Sequence, residues 1–209
     1  MKDPYLFPDC DVLVNKFSER DESRFNDIEA DYTSLRIKEL LDNPVSGDFD
    51  FHHLCKIHAY IFQDIFEWAG KIRIINIEKA EEALSGMSVE YSDVFDIVRL
   101  GDSALSKMNS TVWNDLSAED KAISFAGHMT DIWMVHPFRE GNTRAIITFC
   151  CDFADKHGFS LDRELFKDNS VYVRRALVAS SAVFKDLGDK RKPEFLIGFI
   201  HDAIQRGYM

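Results

Sequence analysis

Three things are scarce in this 209-residue chain, and each scarcity closes off a class of protein. Cysteine is the first. Cys10, Cys55, Cys150 and Cys151 show neither CxxC nor metal-type spacing, so no disulfide framework can be read from them. Long apolar runs are the second. No stretch reaches the ~18 apolar residues of a membrane span, and Met1-Lys2-Asp3-Pro4 leads into no signal-like segment. The expected compartment is the cytoplasm, with no membrane partner. Basic residues are the third: 25 Lys and Arg face 36 Asp and Glu, for a formal net charge of -11. That balance opposes non-specific binding to nucleic acid, which is not expected as a partner. A small nucleotide stays compatible, because one local pocket can be positive.

What is present points to a helical globule. Apolar residues make up 45% of the chain and include 17 Phe, enough for a well-filled core. A chain of this size buries roughly 70% of its unfolded surface, so residues 1–209 are expected to form a single domain. Residues 1–23 read as a turn-rich N-terminal arm. Helical periodicity predicts helices over Arg24–Leu41, Asp50–Phe66 and Ser88–Met108. A stronger helix is capped by Ser117 and carries Ile123, Phe125, Ala126, Met129, Ile132 and Trp133 to Val135. Another starts at Asn142 and is closed by Gly158. Ser160–Phe166, Tyr172–Leu187 and Pro193–Ile204 complete the helices. The β-branched stretch Lys71-Ile72-Arg73-Ile74-Ile75-Asn76-Ile77 is too short for a sheet domain and reads as a small hairpin or extended flap.

The chemistry gathers at His136-Pro137-Phe138-Arg139-Glu140-Gly141-Asn142-Thr143-Arg144. A helix start leaves backbone N–H groups without internal partners and favours anions. Gly141 would let the backbone approach a phosphate, Asn142 could add a side-chain bond, and Arg144 offers a planar fork of donors. Alone, Gly-Asn is a common turn and cap. Glu140 changes the reading, because a carboxylate beside a phosphate nest suits a bridging Mg²⁺. His136 ends an apolar helix just before the nest, where a neutral imidazole could take a proton from a hydroxyl. Pro137 and Phe138 are expected to position the loop. His52, His53 and His58 have no convincing metal spacing and are expected to be surface or core residues. Glu78, Glu81 and Glu82 read as a solvated run.

With its spacing and helix context, the segment closely resembles the Fic family: His136, Phe138, Glu140, Gly141, Asn142 and Arg144 match that pattern. Tyr5-Leu6-Phe7-Pro8, Val12–Lys16 and Asp64–Arg73 are also similar, which extends the likeness over roughly residues 5–200. The resemblance implies a mostly α fold with a short β-hairpin flap at about residues 70–79. It implies transfer of AMP from ATP to a Ser, Thr or Tyr hydroxyl of a target protein. In that reading His136 is the general base and Glu140 holds Mg²⁺. Gly141, Asn142, Thr143 and Arg144 bind phosphate. Ile72, Arg73, Ile74, Ile75, Asn76 and Lys79 belong to a flap that docks an extended, hydroxyl-bearing target segment.

Two positions depart from the pattern. Thr143 stands where many members have glycine, and Ile147 where many carry a second arginine. A Fic-like transferase of another nucleotide or of phosphate, and a non-catalytic helical binding protein, are the alternatives. The family's inhibitory pattern, Ser or Thr, three residues, Glu, then Gly or Asn, has no good match here. A separate small antitoxin is therefore the expected restraint.

Overall fold

The computed structural model describes residues 3–207. Met1, Lys2, Tyr208 and Met209, at the outer ends of the expected domain and its N-terminal arm, lie outside the described residues. The chain is mostly helical: α1 Glu22–Asp42, α2 Phe51–Phe62, α3 Ile97–Ser110, α4 Ala118–Val135, α5 Asn142–Lys156, α6 Arg163–Asp168, α7 Ser170–Ser180 and α8 Glu194–Gly207. A short antiparallel hairpin, β1 Val183–Phe184 and β2 Gly188–Asp189, separates the last two helices.

Side-chain caps set several helix starts. Asp21 accepts from the Arg24 N–H, Asp50 from His53 and Ser117 from Asp120, each satisfying a first-turn donor. α4 is central and packs on α3, α5, α7 and α8. Phe125, Met129, Ile132 and Trp133 are buried as expected, whereas Ile123 is exposed. Each large apolar side chain enclosed this way contributes roughly 1.5–3 kcal/mol. α2 lies against α5 and α1, which brings Phe62 under the start of α5.

Four expectations differ from the structure. The second helix stops at Phe62, and residues 63–70 form turns around Gly70. Residues 88–94 form no helix; Ser92 donates its N–H to the Met134 carbonyl instead, which ties this loop to the end of α4. The stretch expected to be helical to Leu187 ends at Ser180 and turns back as β1–β2. The segment 71–81 carries no strand pairing, so the two-stranded sheet among the described residues is β1–β2 and not the flap. The flap is nevertheless extended: from Arg73 to Glu78 its residues alternate between inward and outward faces. No helix among the described residues is long and apolar enough to cross a membrane.

Candidate active site

The site is the junction between α4 and α5. α4 ends on His136, a non-glycine residue with φ 46° in the left-handed region. The loop then turns through Gly141, with φ 79°, into α5. Glycine is needed there twice over, because an added Cβ would lie 2.1 Å from the Phe62 ring. Asn142 staples the loop: its Oδ1 accepts from the Phe138 N–H at 2.9 Å and its Nδ2 donates to the Phe138 carbonyl at 2.7 Å. The Asn142 amide, expected to reach a phosphate, is thus engaged at both ends within the loop. The first helical bond runs from Ala145 N–H to the Gly141 carbonyl. The N–H groups of Asn142, Thr143 and Arg144 precede that ladder and are the donors an anion would meet.

His136 is buried, with its ring 3.9 Å from the Tyr91 ring between centroids and edge-on to Trp133 at 5.2 Å. Neither ring nitrogen has a hydrogen-bond partner. Burial first, and the nearby Lys79 charge second, hold its pKa well below the ordinary histidine value. The ring is therefore neutral at neutral pH and can accept a proton.

Glu140 accepts from Lys79 Nζ at 2.8 Å and from the Gly141 N–H at 3.0 Å. Burial opposes its ionisation, but Lys79, the Gly141 N–H and Arg144 together hold its carboxyl down at about 2. No cluster of three or more metal-ligating side chains occurs among the described residues. A single ionised carboxylate beside an anion-binding helix end fits Mg²⁺ shared with substrate phosphates.

The flap residues divide. Arg73 is buried and faces the site: Nε donates to the His136 carbonyl at 2.9 Å, Nη1 to the Ile75 carbonyl at 2.7 Å, and Nη2 to the Ser92 carbonyl. Its N–H also bonds the Pro137 carbonyl at 2.9 Å. Arg73 is a clamp between flap and motif loop rather than an outward docking side chain. Lys79 also turns inward, onto Glu140. Asn76 is tied to the loop after Ser92, donating to Asp93 and accepting from the Val94 N–H. Ile72 packs against the core, Ile74 is exposed, and Ile75 is half-buried.

Thr143 and Arg144 are tied elsewhere in the fold. The Trp133 indole N–H donates to Thr143 Oγ1 at 3.0 Å, a use for the hydroxyl that glycine could not supply. Arg144 donates to Glu29 at 2.9 Å and Thr33 at 3.0 Å, both on α1, and lies over the Phe62 ring. Burial raises the Glu29 pKa, and Arg144 counters it.

A cavity of about 110 Å³ is lined by Lys79, His136, Glu140 to Arg144 and Arg174. Arg174, on α7, was not singled out by the sequence, and neither were Tyr91 and Glu29. Glu81, expected to be solvated, is buried and accepts from Arg174 at 2.6 Å. His58, expected to be structural, is buried; it accepts from the Gly70 N–H and bonds the Glu140 carbonyl at 3.0 Å. It therefore holds the backbone that carries the carboxylate.

The Fic/DOC family model matches residues 48–154. The chain is 29% identical over 160 residues to protein adenylyltransferase VbhT of Bartonella schoenbuchensis, covering 77% of this chain and 32% of that protein. It is 30% identical over 162 residues to the probable protein adenylyltransferase y4lH of Sinorhizobium fredii, covering 78% and 80%. The chain thus spans about a third of the length of VbhT and most of y4lH. In fold it is similar to the N-terminal FIC domain of Bep8 from Bartonella sp. 1-1C, with TM-score 0.76, 22% identity and coverage of 96% and 94%. It is also similar to BepC of Bartonella tribocorum, solved with bound AMPPNP, with TM-score 0.77, 19% identity and 95% coverage of both chains. The family match spans just over half of the sequence and includes the whole loop from His136 to Arg144, so this chain belongs to the Fic/DOC family.

Proposed function

We propose that the chain is a protein adenylyltransferase that moves AMP from ATP to a Ser, Thr or Tyr hydroxyl of a target protein. The observation that carries this reading is His136: a buried imidazole with both ring nitrogens free of protein partners, lining the same cavity as Glu140 and the start of α5. The α5 amides hold the triphosphate. A ring nitrogen of His136 takes the hydroxyl proton as the oxygen attacks the innermost phosphorus. The new oxygen–phosphorus bond replaces the bond to the leaving diphosphate. Mg²⁺, held by Glu140 and the phosphates, would neutralise charge on the phosphoryl oxygens.

The flap supports target docking. Its outward residues Ile74, Asn76 and Glu78 line a groove of about 480 Å³ together with Val94 and Arg139. The segment is extended and pairs with no strand among the described residues. An added strand would find main-chain partners there and bring a hydroxyl to the site with little demand on sequence.

Incubation with α-labelled ATP, Mg²⁺ and cell lysate should label target proteins, and His136→Ala should abolish the label. Labelling that persists in that variant sinks the mechanism. One observation favours a second reading. Ile147 packs against the core, so α5 presents no second arginine to the outer phosphates. Transfer of phosphate, detected as label from γ-labelled but not α-labelled ATP, would establish that reading instead. The restraint we propose is a separate small antitoxin. Co-purification with the product of an adjacent reading frame tests it, and an active, well-tolerated chain purified alone counts against it.

A further inference from the structure

Arg144 and Arg174 line the same cavity but differ in what already holds them. Both terminal nitrogens of Arg144 donate to α1, to Thr33 and Glu29, and its guanidinium lies 4.9 Å from the Phe62 ring centroid. Arg174 has one hydrogen bond, from Nη2 to Glu81 Oε1 at 2.6 Å. A guanidinium carries five N–H donors in a fixed plane, so most of those on Arg174 have no protein partner among the described residues. Its side chain is partly exposed, while Glu81 is nearly enclosed, so the acid anchors one edge of a guanidinium that also lines the cavity. In a chain of net charge -11, the cavity is lined by three cations, Lys79, Arg144 and Arg174, against Glu140 alone. Lys79 is paired with Glu140, which leaves Arg174 as the lining cation with the most donors to offer.

We infer that Arg174, delivered by α7 rather than by the motif, grips the outer phosphates of a nucleoside triphosphate whose first phosphate rests on the start of α5. This rests on the nucleotide reading above. It assigns to α7 the outer-phosphate contact that Ile147 leaves without a donor on α5. Arginine suits the role because its planar fork meets phosphate oxygens in pairs.

Calorimetric titration of the full chain with ATP and with AMP, in Mg²⁺, tests it. Arg174→Met should weaken ATP binding about ten-fold and leave AMP binding unchanged, and Arg174→Lys should recover part of the loss. Glu81→Gln is the control. It keeps an oxygen to orient the guanidinium but removes the competing charge, so ATP should bind as well as in the wild type or more tightly. Unchanged ATP affinity in Arg174→Met overturns the inference. Equal losses in Arg174→Met and Glu81→Gln also overturn it, because they reveal a structural ion pair. An equal loss for AMP moves the contact to the first phosphate and overturns it too. A wild-type chain that binds neither nucleotide would instead defeat the nucleotide reading itself.

Discussion

Lys79 Nζ lies 2.8 Å from Glu140 Oε2, so the ammonium of a flap residue sits on the carboxylate of the motif loop. The sequence placed these residues in separate roles, one docking a target and the other holding a metal. The structure makes them partners, and their contact links flap position to the charge state of the site. A cation that needs Glu140 must compete with Lys79. Lys79→Met should therefore lower the Mg²⁺ concentration needed for half-maximal ATP binding, by about three- to ten-fold, as suits a partly exposed pair. Calorimetric titrations across a Mg²⁺ series would show it, and an unchanged Mg²⁺ dependence would contradict the competition.

Gly141 is held to glycine by its φ of 79° and by the Phe62 ring beneath it. Gly141→Ala should cost about 2–4 kcal/mol through backbone strain and overpacking. Trimming the ring in Gly141→Ala/Phe62→Leu should recover part of that loss but not the strain. Urea denaturation of the two variants separates these contributions. A single variant as stable as the wild type would show that the loop relaxes freely.

Acid should loosen this site through its histidines. The His58 pKa is pushed down to about 3, mainly by burial, and the shift at His136 has the same direction and main cause. Below the ordinary value near 6.5 the unfolded chain therefore takes up protons that the folded chain refuses. The stability of the neutral His58 ring is fully present above pH 6.5 and is lost as the pH falls toward about 3, and His136 acts in the same sense. His58 contributes a slope of at most about 1.4 kcal/mol per pH unit in that window. His58→Phe keeps a ring between Phe62 and Phe138 and removes the titration. It should be less stable at pH 7 by about 1–2 kcal/mol for the lost hydrogen bonds, yet show a flatter profile. Denaturation midpoints from pH 7.5 to 4.5 check both, and an identical slope in the variant would refute the assignment.

Arg73 fastens the flap to the motif loop with its side chain and its backbone N–H. Arg73→Lys preserves the charge but not the fork. It should cost about 1–3 kcal/mol, since the buried carbonyl of His136 and the partly buried carbonyls of Ile75 and Ser92 lose donors. Limited proteolysis should then cut within residues 71–80 faster than in the wild type. Equal cleavage rates would show that the clamp does not hold the flap.

The motif and its two helices were legible because they rest on local chemistry. Ser117 caps its own helix, Gly141 makes its own turn, and α4 and α5 follow the apolar period on either side. The flap's extended backbone could be read from its β-branched residues, but its inward side chains could not. Arg73 and Lys79 face the site because the His136 carbonyl and the Glu140 carboxylate, more than fifty residues away, receive them. The same limit hid Arg174, whose charge is indistinguishable in sequence from that of neighbouring Arg175. Residues 88–94 carry enough apolar side chains for a helix, yet the Met134 carbonyl and the Arg73 guanidinium capture the backbone of Ser92. Competing tertiary bonds decided that segment. A hairpin replaces the expected helix after Ser180 because Gly188 takes a left-handed turn and β1 pairs with β2.

The most direct measurement is the intact mass of a protein target after incubation with the chain, ATP and Mg²⁺, beside the His136→Ala variant. The account predicts one added adenylate per modified hydroxyl with the native chain and an unshifted mass with the variant. An added phosphate, or an adenylate that still appears when His136 is gone, would contradict it.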